Sequence, residues 1–185
     1  MVITLIGYRG SGKTAAAERL AASLGWEWID ADAELERRAG RTIAEIFAAD
    51  GEAEFRRRER ELLRELLQRA RLVLSAGGGA VLHAETRREM REAGPVIWLQ
   101  ADVETLARRM AADPTTRDRR PQLTNLGGLA EIQAVLAVRE PLYRETAALT
   151  VDTSTRSVEE VVEEILAGLR ARGFPSRAPA LGGPT

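Results

Sequence analysis

Residues 7–14 read Gly-Tyr-Arg-Gly-Ser-Gly-Lys-Thr, and this stretch decides the fold. It fits the pattern G-x-x-x-x-G-K-[ST] of the phosphate-binding loop completely. An apolar run, Val2–Ile6, precedes the loop, and an alanine-rich helical pattern, Ala15–Leu24, follows it. Because strand, loop and helix all stand in the required order, a glycine-rich turn that fits by chance is the disfavoured alternative. The stretch therefore predicts a binding site for nucleotide phosphates.

The residue types of this loop suit that chemistry. Glycines let the backbone curl until several N–H groups point at phosphate oxygens, and the start of the next helix adds positive potential. Lys13 can reach the β- and γ-phosphates, and the Thr14 hydroxyl can bind Mg²⁺. The predicted ATP site consists of Gly10, Ser11, Gly12, Lys13, Thr14 and Ala15. The loop alone leaves the function open, since GTPases, motors and regulators share it. An Asn-Lys-x-Asp motif, which a GTPase would use to read its base, is absent from the sequence.

Outward from the loop, short β-branched runs alternate with longer helical patterns. This alternation predicts βαβ units, and hence an α/β fold in which helices flank a five-stranded parallel sheet. Thr42 and Glu45 have the spacing of a capping box and predict a helix start. The predicted strands are Val2–Ile6, Trp26–Ile29, Leu72–Ser75, Val96–Leu99 and Leu149–Val151. Trp26, Trp28 and Trp98 fall in these strands, so we expect them to pack in the core.

Composition limits the classes of function. The 185 residues are 44% hydrophobic and 30% charged, with a formal net charge of −1. A general nucleic-acid binder would carry a basic excess, and thiolate metal sites need the cysteines that this sequence lacks. Val2–Ile6 is too short to span a membrane, and the loop begins directly after it, which leaves no room for a signal peptide. We therefore expect a cytoplasmic protein that binds no nucleic acid and no membrane.

The chain reads as one domain, residues 1–172, with two irregular segments. Ala111–Gly128 contains Pro114, Pro121 and several charged residues, and its length suggests a mobile lid over the nucleotide. Residues 173–185 are rich in Gly, Pro and Ala without periodicity, which predicts a disordered tail.

Asp30 and Asp32 follow the second predicted strand. Ligands bind at the carboxyl ends of parallel strands, and residues two apart on an extended chain point the same way. One carboxylate could then serve Mg²⁺ and the other a substrate hydroxyl. Alternatively, one of them caps the following helix. The third predicted strand ends in Ser75 without a carboxylate, so Asp30 is the better candidate for the metal-side acid.

A charged helix and a glycine run complete the candidate site. On a helical wheel, Glu59 falls near the centre of the apolar stripe formed by Phe55 and three leucines, where a carboxylate needs a partner. Arg56, three residues earlier, lies within reach, although a solvated helix held by ion pairs is the plainer interpretation. Gly77–Gly79 follows the third strand and either lets a ligand approach bare backbone N–H groups or forms a flexible turn.

In their order along the chain, these motifs resemble those of the shikimate kinases. The resemblance covers roughly residues 2–170 and implies the nucleoside-monophosphate-kinase-like P-loop fold, with ATP and shikimate as substrates and Mg²⁺ as cofactor. We expect such an enzyme to act as a monomer. The motifs are residues 7–14, Asp30-x-Asp32, Gly51–Glu59, Gly77–Gly79, Arg120-Pro121-x-Leu123 and Arg139-Glu140-Pro141-Leu142-Tyr143.

The resemblance also implies roles for individual residues. Asp32 would hold substrate hydroxyls and act as, or near, the general base, and Asp30 would stand in the outer shell of Mg²⁺. Arg56 and Arg139 would bind the shikimate carboxylate, with Glu59 behind Arg56.

Further roles implied by the resemblance concern the backbone and the lid. Gly78, with Gly77 and Gly79, would offer backbone contacts to the substrate, and Arg109 would lie near the adenine. Arg120 would be the lid arginine that reaches the phosphates. The lid resembles that of the longer-lid branch, which leaves Arg119 as its alternative. Arg9 also resembles that branch and would lean toward the substrate.

Two other functions stay open at this point. A different small-molecule P-loop kinase, such as a gluconate or nucleotide kinase, would not need the pair Arg56 and Arg139. A non-catalytic ATP-binding regulator would bind ATP without shikimate-dependent ADP release.

Overall fold

The β-branched and leucine-rich runs form five strands close to the predicted positions. In this computed structural model, which describes residues 1–112 and 128–174, the strands pair in the order β2-β3-β1-β4-β5. Every pairing is parallel, so the predicted five-stranded parallel sheet is confirmed. The strands are Val2–Ile6 (β1), Glu27–Asp30 (β2), Leu72–Ser75 (β3), Val96–Gln100 (β4) and Leu149–Asp152 (β5). They differ from the predicted ones only at their ends.

Seven helices in the described part of the chain cover the two faces of the sheet. A short 3₁₀ turn, Ala80–Leu82, links β3 to the helix after it. The helices are Lys13–Leu24 (α1), Ala31–Ala39 (α2), Ile43–Leu66 (α3), Ala84–Ala93 (α4), Val103–Ala112 (α5), Gly128–Thr146 (α6) and Val158–Ala171 (α7).

Helix α3 begins where the capping box predicted. The Thr42 side chain accepts a hydrogen bond from the Glu45 backbone, and the Glu45 carboxylate accepts one from the Thr42 backbone. Gly51, with φ 81° and ψ 170°, interrupts the helical geometry, so a short first segment is followed by the long charged one. The kink separates the helix start from the segment that carries Arg56 and Glu59.

The two faces of the sheet bury separate apolar cores. One core packs under α2 to α6 and includes Trp98, which is 2% exposed. The other packs under α1 and α7, and Trp26 lies partly buried against it. The expectation that all three tryptophans pack in the core is wrong for Trp28, which is 38% exposed. Strand β2 is an edge strand, so its side chains have fewer covering elements.

Both irregular segments lie largely outside the described residues. Helix α5 continues to Ala112 and α6 begins at Gly128, so the part of the predicted lid between them, with Arg119 and Arg120, falls outside the described ranges. In the tail, Gly173 and Phe174 are described, and Phe174 packs against the second core. Of the helices that the structure describes, none has both the length and the apolar character needed to cross a lipid bilayer.

Candidate active site

A cleft of about 500 Å³ opens where the strands of the sheet end. This position follows from the topology, because parallel strands direct the loops after β1, β2 and β3 to the same edge of the sheet. Residues from the phosphate-binding loop, from the start of α2 and from the glycine run meet there. The lining residues are Arg9, Gly10, Gly12, Lys13, Thr14, Ala15, Trp28, Asp30, Asp32, Ala33, Glu36, Ile43, Ser75, Gly78, Arg109 and Met110.

The phosphate-binding loop is held tightly against the sheet. Gly7 has φ 144°, and a Cβ at this position would lie 2.4 Å from the Leu99 carbonyl oxygen, so only glycine fits. Gly12 is the N-cap of α1 with φ 87°, and its backbone turns the chain into the helix. The Lys13 ammonium donates to the carbonyl oxygens of Gly7 at 3.0 Å and Tyr8 at 2.8 Å. The loop thus keeps its cation folded over its own backbone.

Asp30 lies beside the first turn of α1. The Thr14 hydroxyl donates to Asp30 Oδ2 at 2.6 Å, and the Ser75 hydroxyl donates to the same oxygen at 3.1 Å. Asp30 Oδ1 accepts from the backbone N–H groups of Asp32 at 3.0 Å and Ala33 at 3.2 Å, which caps α2. The helix-cap alternative is therefore confirmed for Asp30, and the second carboxylate oxygen binds the Thr14 and Ser75 hydroxyls.

Asp32 reaches the cleft by a different route from the one predicted. It belongs to the first turn of α2 and not to an extended strand, so the argument from alternating side chains is wrong for this pair. The side chain nevertheless lines the cleft, because the N-terminal end of α2 points at it. A carboxylate at a helix N-terminus is also favoured by the helix dipole.

Helix α2 is attached to α3 by ion pairs on the surface behind the cleft. Arg38 pairs with Glu65 on α3 at 2.6 Å and with Glu34 on its own helix at 2.7 Å. Hydrogen bonds from Arg37 and Arg38 lower the pKa of Glu34 to about 2. This network links the surfaces of the two helices that carry Asp32 and Arg56, and exposed ion pairs of this kind contribute little to stability.

Arg56 and Glu59 form the buried pair that the helical wheel predicted. Glu59 is 5% exposed and accepts from Arg56 Nη1 at 2.6 Å, three residues away. Arg57, by contrast, is solvent exposed and pairs with Glu54 and Glu61. The solvated interpretation thus fits Arg57 and its partners, whereas the Arg56 guanidinium lies inside the fold and stacks over the Phe55 ring at 5.0 Å.

The glycine run brings Arg56 and Arg139 to the same place. A Cβ on Gly79 would lie 2.3 Å from Arg56 Nη1, and a Cβ on Gly78 would lie 3.5 Å from Arg139 Nη1. Arg139, on α6, is 8% exposed, and within residues 1–112 and 128–174 its guanidinium has no hydrogen-bond or ion-pair partner. A buried guanidinium without an acceptor strongly favours an anion beside it. Arg139 itself is not among the lining residues, but Gly78 beside it is, and a Cβ on Gly78 would lie 3.2 Å from the Gly7 carbonyl oxygen of the phosphate-binding loop.

Arg109 connects α5 to the other side of the loop. It donates to the Gly10 carbonyl oxygen at 3.2 Å and to the backbone and hydroxyl oxygens of Thr153 at 2.6 and 3.1 Å. Thr153, which follows β5 and is 3% exposed, also bonds to the Ser11 and Gln100 carbonyl oxygens, each at 3.2 Å. These bonds tie the phosphate-binding loop to the segment after β5.

Arg9 lies in the cleft wall and donates to Glu131 on α6 at 3.0 Å. The expectation that Arg9 leans toward the substrate is compatible with its place in the lining. Its contact with the first turn of α6 was not predicted.

Four residues of the site escaped the sequence analysis in their present roles. Trp28 lines the cleft, Ser75 supports Asp30, Thr153 supports Arg109, and Tyr143 donates to the Gly78 carbonyl oxygen at 2.7 Å. Tyr143 had been quoted only as part of the motif that begins at Arg139. For the others the sequence carries no local signal, because their partners are distant along the chain.

Known proteins match both the sequence and the fold. The family model for shikimate kinase matches residues 9–170. A shikimate kinase of Rhodopirellula baltica is 43% identical over 162 residues, which cover 88% of this chain and 87% of the relative. The structure titled "Shikimate kinase from Acinetobacter baumannii in complex with shikimate" is similar with a TM-score of 0.86 at 36% identity, covering 92% of this chain and 93% of the other.

A gluconokinase of Sinorhizobium meliloti is more distant. It has a TM-score of 0.59 at 23% identity and covers 92% of each chain, a level at which only the fold is shared.

Proposed function

Because the chain belongs to the shikimate kinase family and is an ATP-dependent kinase that phosphorylates the 3-hydroxyl of shikimate, we propose the following roles for the described cleft residues. The phosphate-binding loop holds ATP, the region around the glycine run holds shikimate, and Asp32 stands between them. One observation carries this division: the buried Arg139 guanidinium, without a partner in the described residues, lies beside Gly78 in the cleft wall.

The acceptor end suits a small carboxylic acid. Two arginine forks, Arg56 and Arg139, approach neighbouring glycines, and a planar guanidinium matches a carboxylate better than an ammonium does. Glu59 holds Arg56 through Nη1 and keeps that guanidinium in one orientation. A neutral substrate, which offers only hydroxyl groups, would leave the Arg139 guanidinium unpaired, so a neutral substrate is not favoured.

The donor end suits the phosphates of ATP. Gly10, Gly12, Lys13, Thr14 and Ala15 line the cleft at the start of α1, and the N-terminus of a helix favours phosphate. On ATP binding, the Lys13 ammonium exchanges its bonds to Gly7 and Tyr8 for bonds to the β- and γ-phosphates. Arg109, held by Gly10 and Thr153, borders the same end and supports a position near the adenine.

The side chains at the loop fit a magnesium ion. Thr14 and Asp30 place a hydroxyl and a carboxylate 2.6 Å apart, and oxygen donors are the ligands that Mg²⁺ prefers. No cluster of three or more acidic, histidine or cysteine ligands occurs in the described ranges, which suits an ion held mainly by phosphates and water. Thr14 would bind the ion directly and Asp30 through water. When bound, the ion neutralises charge on the transferred phosphoryl group.

Asp32 is proposed as the general base. The 3-hydroxyl oxygen of shikimate forms a bond to the γ-phosphorus while the bond from that phosphorus to the β,γ-bridging oxygen breaks. The hydroxyl proton passes to the Asp32 carboxylate, and ADP leaves with the electron pair of the broken bond. The place of Asp32 in the cleft lining, at the N-terminal end of α2, supports this role.

Four features remain proposals. Arg120, with Arg119 as the alternative, would reach the phosphates from the lid at 111–128, which is mostly outside the described residues. We propose a single domain over residues 1–172; of the predicted tail over 173–185, Gly173 and Phe174 are described, with Phe174 packed against the second core, and the rest lies outside the described residues. We also propose that the enzyme acts as a monomer. A cytoplasmic location would fit an enzyme that consumes ATP.

The deciding experiment measures ADP release with Mg²⁺ and ATP in the presence of shikimate, of gluconate, or of neither. We expect ADP release in the presence of shikimate, and none with gluconate or without an acceptor. Turnover with gluconate, or ATP binding without shikimate-dependent ADP release, would overturn the proposal. A second assay in which Mg²⁺ is removed with a chelator tests the metal separately, because the loss of turnover should be restored by added Mg²⁺.

A further inference from the structure

Tyr143 stands one helical turn after Arg139 on α6 and is completely buried. Its hydroxyl donates to the Gly78 carbonyl oxygen at 2.7 Å, and its ring stacks on Trp98 with 5.7 Å between centroids. The aromatic stack and the absence of solvent leave the hydroxyl one position. A peptide carbonyl in the glycine run is therefore held by a rigid side chain.

Holding this carbonyl also sets the direction of an amide. The Gly78 carbonyl and the Gly79 N–H belong to one planar trans peptide unit and point in opposite directions. Glycine restricts its own backbone least of all residues, so a run of three has no strong conformational preference. Within the described part of the chain, the N–H groups of Gly77, Gly78 and Gly79 have no hydrogen-bond acceptor. Of the three residues Gly78 lines the cleft, so an amide of this run can meet a ligand there, provided that something fixes its orientation.

Helix α6 places the Arg139 guanidinium and the Tyr143 hydroxyl beside the same glycine. Arg139 Nη1 would lie 3.5 Å from a Cβ on Gly78, and Tyr143 Oη would lie 3.4 Å from the same position. We propose that Tyr143 is a positioning residue for shikimate, which holds the Gly78–Gly79 peptide so that its N–H and the Arg139 guanidinium face the same ligand. The inference rests on the proposed function, because it assigns the glycine run to the acceptor.

The test is Tyr143→Phe in the full chain, which removes one oxygen and keeps the ring on Trp98. We expect the shikimate KM to rise about tenfold, as for the loss of one oriented hydrogen bond, while the ATP KM stays within about twofold. A purely structural role would lower the melting temperature without separating the two KM values. Thermal unfolding of the variant is measured alongside the kinetics.

Thr146→Val is the matched control. Thr146 is 2% exposed and lies on the same helix, but its hydroxyl donates to the Leu142 carbonyl oxygen of α6 itself, at 2.6 Å. Its loss should leave both KM values unchanged. An unchanged shikimate KM in Tyr143→Phe, an equal rise in both KM values, or a variant that does not fold would each overturn the inference. The wild-type protein run in parallel tests the proposed function separately, since its inactivity with shikimate would refute that function and not the support by Tyr143.

Discussion

The donor and acceptor ends of the cleft are built in different ways. The proposed donor end is built around one continuous stretch, residues 7–14. The acceptor end gathers Asp32 from α2, Arg56 from α3, the glycine run after β3 and Arg139 from α6. The first is a local structure, whereas the second exists only when four distant segments have packed together.

The two ends also differ in how their cations are satisfied. Lys13 bonds to Gly7 and Tyr8, and Arg109 bonds to Gly10 and Thr153. Arg139 has no such partner in the described residues. The donor end is therefore complete without a ligand, while the acceptor end keeps an unpaired charge. We expect substitutions at the donor end and at Asp32 to affect turnover, and substitutions of the two acceptor-end arginines, Arg56 and Arg139, to affect the binding of one substrate.

The largest effect should follow from Lys13→Ala. Lys13 carries the only side-chain ammonium that can stay bonded to the γ-phosphate during transfer. Its removal should abolish transfer, because phosphoryl transfer depends on positioned positive charge. Steady-state ADP release measures the effect, and circular dichroism checks that the fold persists. Arg19→Ala is the control, because Arg19 lies on the same helix but pairs with Glu159 at the surface. Appreciable turnover in Lys13→Ala would refute the assignment of the donor end.

Asp32→Asn tests whether the two ends meet at a proton acceptor. An amide can still accept a hydrogen bond from the shikimate hydroxyl but cannot take its proton, so kcat should fall about a hundred- to a thousandfold. Shikimate KM should change little. The measurement is kcat over a range of shikimate concentrations, with Glu34→Gln as a control on the same helix. A near-normal kcat would contradict the assignment of Asp32 as the general base.

Arg139→Lys and Arg56→Lys sharpen the contrast at the acceptor end. Lysine keeps the charge but loses the paired N–H groups, so shikimate KM should rise roughly ten- to a hundredfold while ATP KM is unchanged. Arg57→Lys, a neighbouring exposed arginine of α3, should have no effect on either. If ATP KM rises instead, the anion site belongs to the nucleotide and the division of the cleft is wrong.

The smallest expected effect concerns the surface network behind the acceptor end. The pKa of Glu34 is lowered to about 2 by hydrogen bonds from Arg37 and Arg38, against an ordinary value of 4.5. Its ionised form therefore stabilises the fold above pH 4.5, and this contribution is lost as the pH falls from 4.5 toward 2. Because both arginines are partly solvated, the contribution is about 1 kcal/mol or less. Urea unfolding at several pH values should show a weaker pH dependence in Glu34→Gln, and an unchanged dependence would contradict it.

The sequence alone predicted the donor end better than the acceptor end. A continuous motif between a strand and a helix specifies its own geometry, so the loop and the sheet around it match the expectation. The helical wheel also identified the pair Arg56 and Glu59, because both residues lie on one helix. Asp32 does line the cleft, but it does not lie on an extended strand as the sequence pattern predicts, because α2 already begins at Ala31.

The supports of the site could not be predicted from local patterns. Thr153 and Tyr143 act on backbone oxygens that come from distant parts of the chain, and a buried hydroxyl has no periodicity that reveals its partner. Trp28 looked like a core residue because tryptophan is apolar, but the position of β2 at the sheet edge leaves it exposed in the cleft wall. Strand order is a property of the whole fold, and no single segment encodes it.

The central position of β1 has a consequence for biosynthesis. The strand that supports the phosphate-binding loop pairs with β3 and β4, whose residues begin at Leu72 and Val96. During translation, β1 leaves the ribosome before β3 and β4 and must therefore wait for both partners before the loop has a sheet to rest on. A nascent chain arrested before residue 96 would lack β4, one of the two neighbours of β1. Such a chain should not be retained by an ATP resin, although it carries the complete nucleotide motif.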